Sequence, residues 1–412
     1  IIMDASEEII LKKRLQSYYE NYFSPAELLK IVGLDNFPHL EFACFGFPYM
    51  KMGTNGKEFK KSNSSRKNSF QSPNQVGKWL ANFSYYNHPQ GPAYKGYFGA
   101  RFVEPFTPAM DIDEFQDLTW ESHDLCSDID IDGSVKIRQD NCQCHGKTIC
   151  NNCLEIAKEA IIHYVETLDE DFGYSKNNVY LCFSGREGFH IHYPTHTNLS
   201  PNRNENQERE IRRKLIEYMR FVEEFVKKES GKRKEQALPE DIDIRLKKNF
   251  GKNRFIHSET MRIRIETTIA YNFWRYTPFD KMLSMTWKTP EGELMTDIDR
   301  LKKALGKLKA LMLKNPNTML ERTKKDGKSL KSFLSHFGKT YDLDYVSVLT
   351  NVIYYRYPRY DPNPAFDTRR IMKIPMSVDA SSIKKYLVQP VDYAKIDEFT
   401  LDNVMTLDQF VK

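Results

Sequence analysis

The 412-residue chain contains no run of about 18 uncharged apolar residues, so no membrane span is expected. Its first ten residues, Ile1–Ile10, carry Asp4, Glu7 and Glu8 and lack the basic-then-apolar order of a signal peptide. The expectation is an intracellular protein. A disulfide framework is equally missing: the seven cysteines are an odd number, and four of them crowd into twelve residues, which points to a metal cluster. No internal repeat is visible. Nor is the chain poor in apolar residues, at 40% hydrophobic and 28% charged, which excludes wholesale disorder.

Strong net charge is absent too, since the formal balance is only +5. Composition alone therefore does not identify a nucleic-acid binder, but the distribution is uneven. Lys57–Arg66, Arg212–Lys234, Arg245–Arg254 and Lys302–Lys328 are basic, whereas Asp111–Asp132 is acidic. One acidic patch in a mildly basic protein suits a polyanion met through metal ions at one spot and through Lys and Arg elsewhere. Any one of these runs, taken singly, is a solvated face.

The pattern of apolar residues predicts an amphipathic helix over Glu7–Phe23 and strands at Tyr94–Val103, Asp124–Asp132, Asn178–Ser184 and Phe189–Tyr193. Leu154, Ala157, Ile161, Tyr164, Val165 and Leu168 mark the buried face of a helix ending near Phe172–Gly173. Gly53–Asn74, rich in Ser, Asn and Lys, reads as a loop. Helical periodicity recurs at Ile211, Leu215, Tyr218, Phe221, Val222 and Phe225, and again at Leu301, Leu305, Leu308 and Met312. Strand-like alternation returns over Tyr360–Ile374. The expected organisation is an α/β (α+β) fold, with a mixed-sheet core from residues 1–203 and 345–412 and a largely helical insertion over 204–344.

The most informative stretch is Asp128-Ile129-Asp130-Ile131-Asp132. On a strand, side chains alternate faces, so the three carboxylates share one face while the isoleucines enter the core. Such carboxylates repel unless a cation neutralises them, and hard oxygen ligands select Mg²⁺ or Mn²⁺. An EF-hand is excluded, because Gln139 stands where the loop needs its glutamate. Cys142-Gln-Cys144-His145, followed by Cys150-Asn-Asn-Cys153, offers soft ligands for a tetrahedral structural zinc, with His145 able to replace one cysteine. Ser184-Gly185-Arg186-Glu187-Gly188-Phe189-His190 lies between two strands. Its glycines permit a tight turn, and Ser184, Arg186 and His190 can converge on one anion. Alone this would be an ordinary hairpin; beside a metal-carboxylate strand it reads as a triphosphate cradle.

In four ordered blocks these residues resemble the small catalytic subunit of archaeal and eukaryotic replicative DNA primases. Asp128 and Asp130 look like the family's first two metal ligands, and the cysteine cluster is similar to its zinc knuckle. Ser184-Gly-Arg186-Glu-Gly-Phe-His190 is similar to its nucleotide-binding motif. Tyr357-Pro-Arg-Tyr-Asp361 and Arg370-Ile-Met-Lys373-Ile-Pro375-Met-Ser377-Val378 resemble the segment that brings the third metal aspartate and a phosphate-binding basic residue, and Pro390–Phe399 its C-terminal segment. Asp361 and Asp367 compete for the third ligand, and spacing favours Asp361. One departure stands out: where the family places a histidine after the Pro-x-Ser stretch, this chain has Asp379, with Lys384 and Lys385 following.

The resemblance implies a nucleotidyltransferase in which Asp128, Asp130 and Asp361 hold two Mg²⁺ or Mn²⁺ ions. Ser184, Arg186, His190 and Lys373 would hold nucleotide phosphates, and Cys142, Cys144, Cys150 and Cys153 a structural zinc. It further implies short RNA primers made from nucleoside triphosphates on single-stranded DNA, a large regulatory subunit, and association with a DNA polymerase complex. The compartment would be the nucleus in a eukaryote or the cytoplasm in an archaeon. Rival readings are a primase-polymerase or repair polymerase of the same superfamily, and an inactive single-strand-binding scaffold.

Overall fold

The computed structural model describes residues 4–33, 37–52, 58–85, 88–103, 119–131, 144, 149–194, 204–219, 279–283, 285, 287–289, 291–314, 343–344, 365, 367–382 and 384–411. The chain divides into two compact units, one of residues 1–135, 144–216 and 359–412, the other of 136–143 and 217–358.

The first unit opens with helix α1 (Ala5–Asn21). Asp4 caps it, accepting from the backbone N–H groups of Ser6 and Glu7, while Glu7 reaches back to complete a capping box. Helix α2 (Ala26–Val32) follows, then a long hydrophobic strand β1 (Leu40–Met52). The stretch expected to be a loop over Gly53–Asn74 is different: Glu58–Asn68 forms strand β2, antiparallel to β1, with the helix α3 (Asn74–Ala81) after it. Its Ser, Asn and Lys content fits the outer position it takes in the sheet, where polar residues discourage further strand addition. A small ribbon, β3 (Phe83–Tyr85) and β4 (His88–Gly91), leads to β5 (Lys95–Phe102) and β6 (Trp120–Ser122).

Next come β7 (Leu125–Asp130), helix α4 (Asn151–Phe172) and the pair β8 (Tyr180–Phe183) and β9 (Gly188–Tyr193). Helix α4 ends at Gly173, whose φ of 72° supplies the left-handed residue that lets Tyr174 N–H bond back to Leu168 O. Helix α5 (Glu205–Met219) follows, most of it within this unit. Within the second unit lie α6 (Phe279–Leu283) and α7 (Ile298–Lys314), where Leu301 and Leu305 are buried as their spacing predicts, with Ala304 beside them; Trp287 is buried there too, its indole N–H on Met282 O. Phe221, Val222 and Phe225 lie outside the described residues.

The return segment is less regular than its alternation predicts. Among its described residues, Asp367–Arg370 is a turn, held by Arg370 N–H on Asp367 O, and only Met372–Lys373 pairs as a strand, β10. Strand β11 (Gln389–Val391) closes the set. One sheet runs β10-β5-β1-β2 with β6 beside β5, the other β11-β8-β9-β7, and every recorded pair is antiparallel rather than mixed. The fold is α+β. Leu15, Tyr18, Leu28, Ile31, Phe42, Leu80, Phe98, Ile374, Val378 and Leu387 form the main apolar cluster, so the C-terminal segment is built into the core of the N-terminal sheet. Helix α4 packs its predicted face, including Leu154, Ile161, Val165 and Leu168, against β7 and β9.

Candidate functional site

On β7 the side chains alternate as the sequence predicts. Ile129 and Ile131 are buried, whereas Asp128 and Asp130 are half-exposed on the other face. Asp132 lies outside the described residues. The β7–β9 register sets Asp128 opposite His190 and Asp130 opposite Gly188. Only glycine fits at 188, because a Cβ there would collide with the Ile129 carbonyl oxygen. The β8–β9 turn is self-contained: Ser184 N–H bonds Gly188 O at 2.8 Å, and Gly188 N–H bonds Ser184 Oγ at 3.2 Å. Gly185 takes a φ of 78°, which a side chain would strain. Ser184 Oγ thus accepts within the turn and keeps its O–H to donate.

These elements wall a cavity of about 190 Å³. Asp128 and Asp130 stand on its lining with Ser184, Arg186, His190 and Lys373. Lys95 and Tyr97 of β5 and Arg370 of the return segment complete much of the rest. Carboxylates and cations that lie far apart in sequence therefore share one small volume. His190 is buried, its Nε2 4.0 Å from Asp128 Oδ1, and its Nδ1 has no hydrogen-bond partner among the described residues. Burial, reinforced by Lys373 and His192, holds its pKa well below the ordinary value, so the imidazole is neutral. His192, two residues on, is also buried but serves packing: it stacks on Phe98 and its Nδ1 lies 3.3 Å from Cys126 Sγ.

Arg186 pairs with Glu187. Burial works against its charge, but Glu187 and Asp379 overcome this and raise its pKa. Lys373 donates to Ser184 O at 2.7 Å and to Asp379 Oδ2 at 2.6 Å. Asp379, where the resemblance implies a histidine, is buried and carries this ion pair instead of facing the cavity. Burial alone would raise its pKa, yet Lys373 and Lys95 outweigh that and drive it below the ordinary carboxylate range. Lys385 is not among the residues that line the cavity; its ammonium donates to Ala380 O and Ser382 O, both at 2.9 Å. Lys95 does lie on the cavity; sequence reasoning missed it, and the only signal was a lysine and a tyrosine alternating on an otherwise buried strand.

Of the two candidates for a third carboxylate, Asp361 lies outside the described residues. Asp367 sits in the turn rather than on a strand, and its Oδ1 accepts Arg369 N–H at 3.1 Å. It orients Arg369 and not a cavity group: the Arg369 guanidinium bonds Glu205 of α5, with Nη2 to Oε2 at 2.8 Å. A buried network extends behind β7. Arg212 of α5 pairs with Glu208 at 2.6 Å and donates to Asp124 O at 2.8 Å and to His123 O, while His123 Nε2 meets Arg370 O at 2.7 Å. These contacts tie the start of the aspartate strand to the return segment.

The cysteines form a second site. The sulfurs of Cys144, Cys150 and Cys153 all lie within 4.8 Å of one another, and those of Cys150 and Cys153 are 3.8 Å apart. A tetrahedral zinc with Zn–S of about 2.3 Å sets its sulfurs about 3.8 Å apart, so the donors fit. Cys150 is the N-cap of α4 and Cys153 lies in its first turn, where the positive end of the helix favours thiolates. Cys142 and His145 are outside the described residues.

A family model described as DNA primase small subunit matches residues 128–393, from the first aspartate of the cavity to beyond β11. The chain belongs to the DNA primase small subunit family. Among curated proteins, it is 26% identical over 208 residues to the DNA primase small subunit PriS of Methanocaldococcus jannaschii, covering 50% of this chain and 51% of that protein. With PriS of Methanosarcina acetivorans it shares 26% over 191 residues, 46% of this chain and 37% of the relative. The chain thus spans about half the length, or less, of these curated relatives. No helix among the described residues is long and apolar enough to cross a membrane.

Proposed function

We propose that this chain is the catalytic subunit of a DNA primase, joining ribonucleotides into short primers de novo on single-stranded DNA. The supporting observation is the shared cavity, where Asp128 and Asp130 meet Ser184, Arg186, His190 and Lys373. Asp128 and Asp130, with Asp361 as third ligand, would hold two Mg²⁺ or Mn²⁺ ions; bound there, such ions neutralise triphosphate charge and make a hydroxyl a better nucleophile. Arg186 and Lys373 bind phosphate oxygens by charge-assisted hydrogen bonds, Ser184 donates its hydroxyl, and neutral His190 offers an N–H without protonating the substrate. Held in line, the 3′-hydroxyl of one nucleotide releases its proton to solvent as its oxygen forms a bond to the α-phosphorus of the next. The bond from that phosphorus to the β-phosphate oxygen breaks, and pyrophosphate leaves with the electron pair.

Cys144, Cys150 and Cys153, with Cys142 or His145, would hold a structural zinc at the start of α4. The family's subunit name supports a large-subunit partner, and residues 204–344 form an inserted, largely helical region in this reading. The test is synthesis by the purified chain on single-stranded DNA with Mg²⁺ or Mn²⁺ and no primer. Short ribonucleotide products are expected. Products only from deoxynucleotides on a supplied primer would replace this reading with a repair polymerase, and no product even with the large subunit added would end it.

A further inference from the structure

Asp379 is bound by two ammonium groups, and one carboxylate needs only one. Lys373 Nζ lies 2.6 Å from its Oδ2 and Lys95 Nζ 3.4 Å from its Oδ1. The carboxylate side chain is wholly buried, whereas the two lysine side chains are 13% and 17% exposed and line the cavity. The negative charge therefore sits inside and two positive charges face out, leaving the trio with a surplus of +1 directed at the cavity.

Asp379 is also held rigidly. Its N–H bonds Tyr386 O at 3.0 Å, its Oδ1 accepts Ser381 N–H at 3.0 Å, and its carbonyl accepts from both Ser382 N–H and Ser382 Oγ. Its Cβ would stand 3.1 Å from any Cβ at Gly185, so it is packed on the Ser184–Gly188 turn, the same turn whose Ser184 carbonyl takes the Lys373 ammonium. Lys95 belongs to none of the motifs that mark the site in sequence, and Asp379 stands where the resemblance implies a histidine.

We propose that Lys95 is a second phosphate-binding ammonium of this cavity, and that Asp379 is the positioning residue that sets Lys95 and Lys373 side by side to receive a polyphosphate. This rests on the nucleotide-binding reading above. A lysine ammonium has three donors, so each can bond Asp379 and still offer N–H groups to phosphate oxygens. Without the carboxylate, two like charges in a partly desolvated wall would repel and separate.

The experiment is calorimetric titration of ATP with Mg²⁺ into the full chain and its variants, without template, alongside thermal unfolding. Wild type should bind, and Arg186→Ala should abolish most of that binding, which tests the nucleotide reading itself. Lys95→Gln should weaken ATP by about tenfold, the loss of one charge-assisted hydrogen bond, with an unchanged melting temperature. Lys95→Arg should recover part of it. Asp379→Asn should also weaken ATP although it removes a negative charge, and adding Lys95→Gln to it should cost little more. Lys95→Gln binding within twofold of wild type, while Arg186→Ala loses binding, overturns the role of Lys95 and leaves the nucleotide site standing. Tighter binding by Asp379→Asn overturns the positioning role. No binding by wild type overturns both this inference and the reading beneath it. Should Asp379→Asn fail to fold, Lys95→Gln decides alone.

Discussion

The two candidate ion sites are built in opposite ways. The three described cysteines come from ten consecutive positions and converge because a helix begins between them. The cavity instead draws Lys95 from β5, Asp128 and Asp130 from β7, the Ser184–His190 turn from β8 and β9, and Arg370 and Lys373 from the return segment. The first is a local site, set by spacing. The second exists only once two sheets and the C-terminal segment have folded together. Disturbance at a distance should therefore reach the cavity and spare the cysteines.

The largest effect should come from the cavity's acidic side. Asp128→Asn should lower primer synthesis on the order of a thousandfold, since several kcal/mol of charge stabilisation is lost and each 1.4 kcal/mol is about tenfold. Its melting temperature should hold or rise, because Asp128 and Asp130 share one strand face. Unprimed synthesis and thermal unfolding check this, and near-normal synthesis would remove Asp128 from the chemistry.

A smaller but more telling effect should come from Arg212, which touches no cavity group. Arg212→Met removes the partner of buried Glu208 and the donors to His123 O and Asp124 O, costing about 3–5 kcal/mol for an uncompensated buried charge. Denaturant unfolding should show the loss, and synthesis should fall with it, while zinc content stays at wild-type level. Loss of zinc in this variant would collapse the contrast between the two sites.

Cys153→Ser should do the reverse. Removing one sulfur should weaken zinc by on the order of a hundredfold or more, read by metal analysis after dialysis against a chelator. Fluorescence-detected ATP binding in the cavity should change little if the two sites are built independently. A large drop in ATP binding would mean that the start of α4 sets the aspartate strand directly.

The same contrast explains what was legible beforehand. Asp128-Ile129-Asp130 could be read because a strand alternates faces with period two, and the structure keeps that alternation. The Ser184–Gly188 turn could be read because its glycines answer local demands, a positive φ at 185 and a strand in contact at 188. The cysteines needed only their spacing. Lys95 could not be read, because a lone lysine on a strand becomes a cavity group only through the β1–β5 and β5–β10 pairings. Asp379 resisted for the same reason, since its partners are fixed by a turn packed on Gly185 and by a lysine from another strand. Strand β2 was misread because an outer strand in water needs no apolar alternation.

The smallest predicted effect concerns pH, and it falls on the cavity alone. Burial pushes the Lys95 ammonium down to about 8; Lys373 and Arg186 push the same way, and Asp379 partly restores it. Its ordinary value lies near 10.5, so in most settings it would stay charged to pH 9. Here, raising the pH from 7 to 9 should carry Lys95 through its titration and remove one positive charge from the wall. The second ionisation of a phosphate group, near pH 6, is largely complete at pH 7, and the remainder adds negative charge, which works against a fall in affinity. ATP affinity should therefore fall severalfold across that range, by less than the roughly 1.4 kcal/mol that a tenfold change represents. In Lys95→Arg the guanidinium stays charged throughout, so the affinity should be flat over the same interval. Zinc retention, followed in parallel, should show no matching loss, because thiolates are favoured as pH rises. A slope that persists in Lys95→Arg would assign the titration to another group and leave Lys95 charged through pH 9.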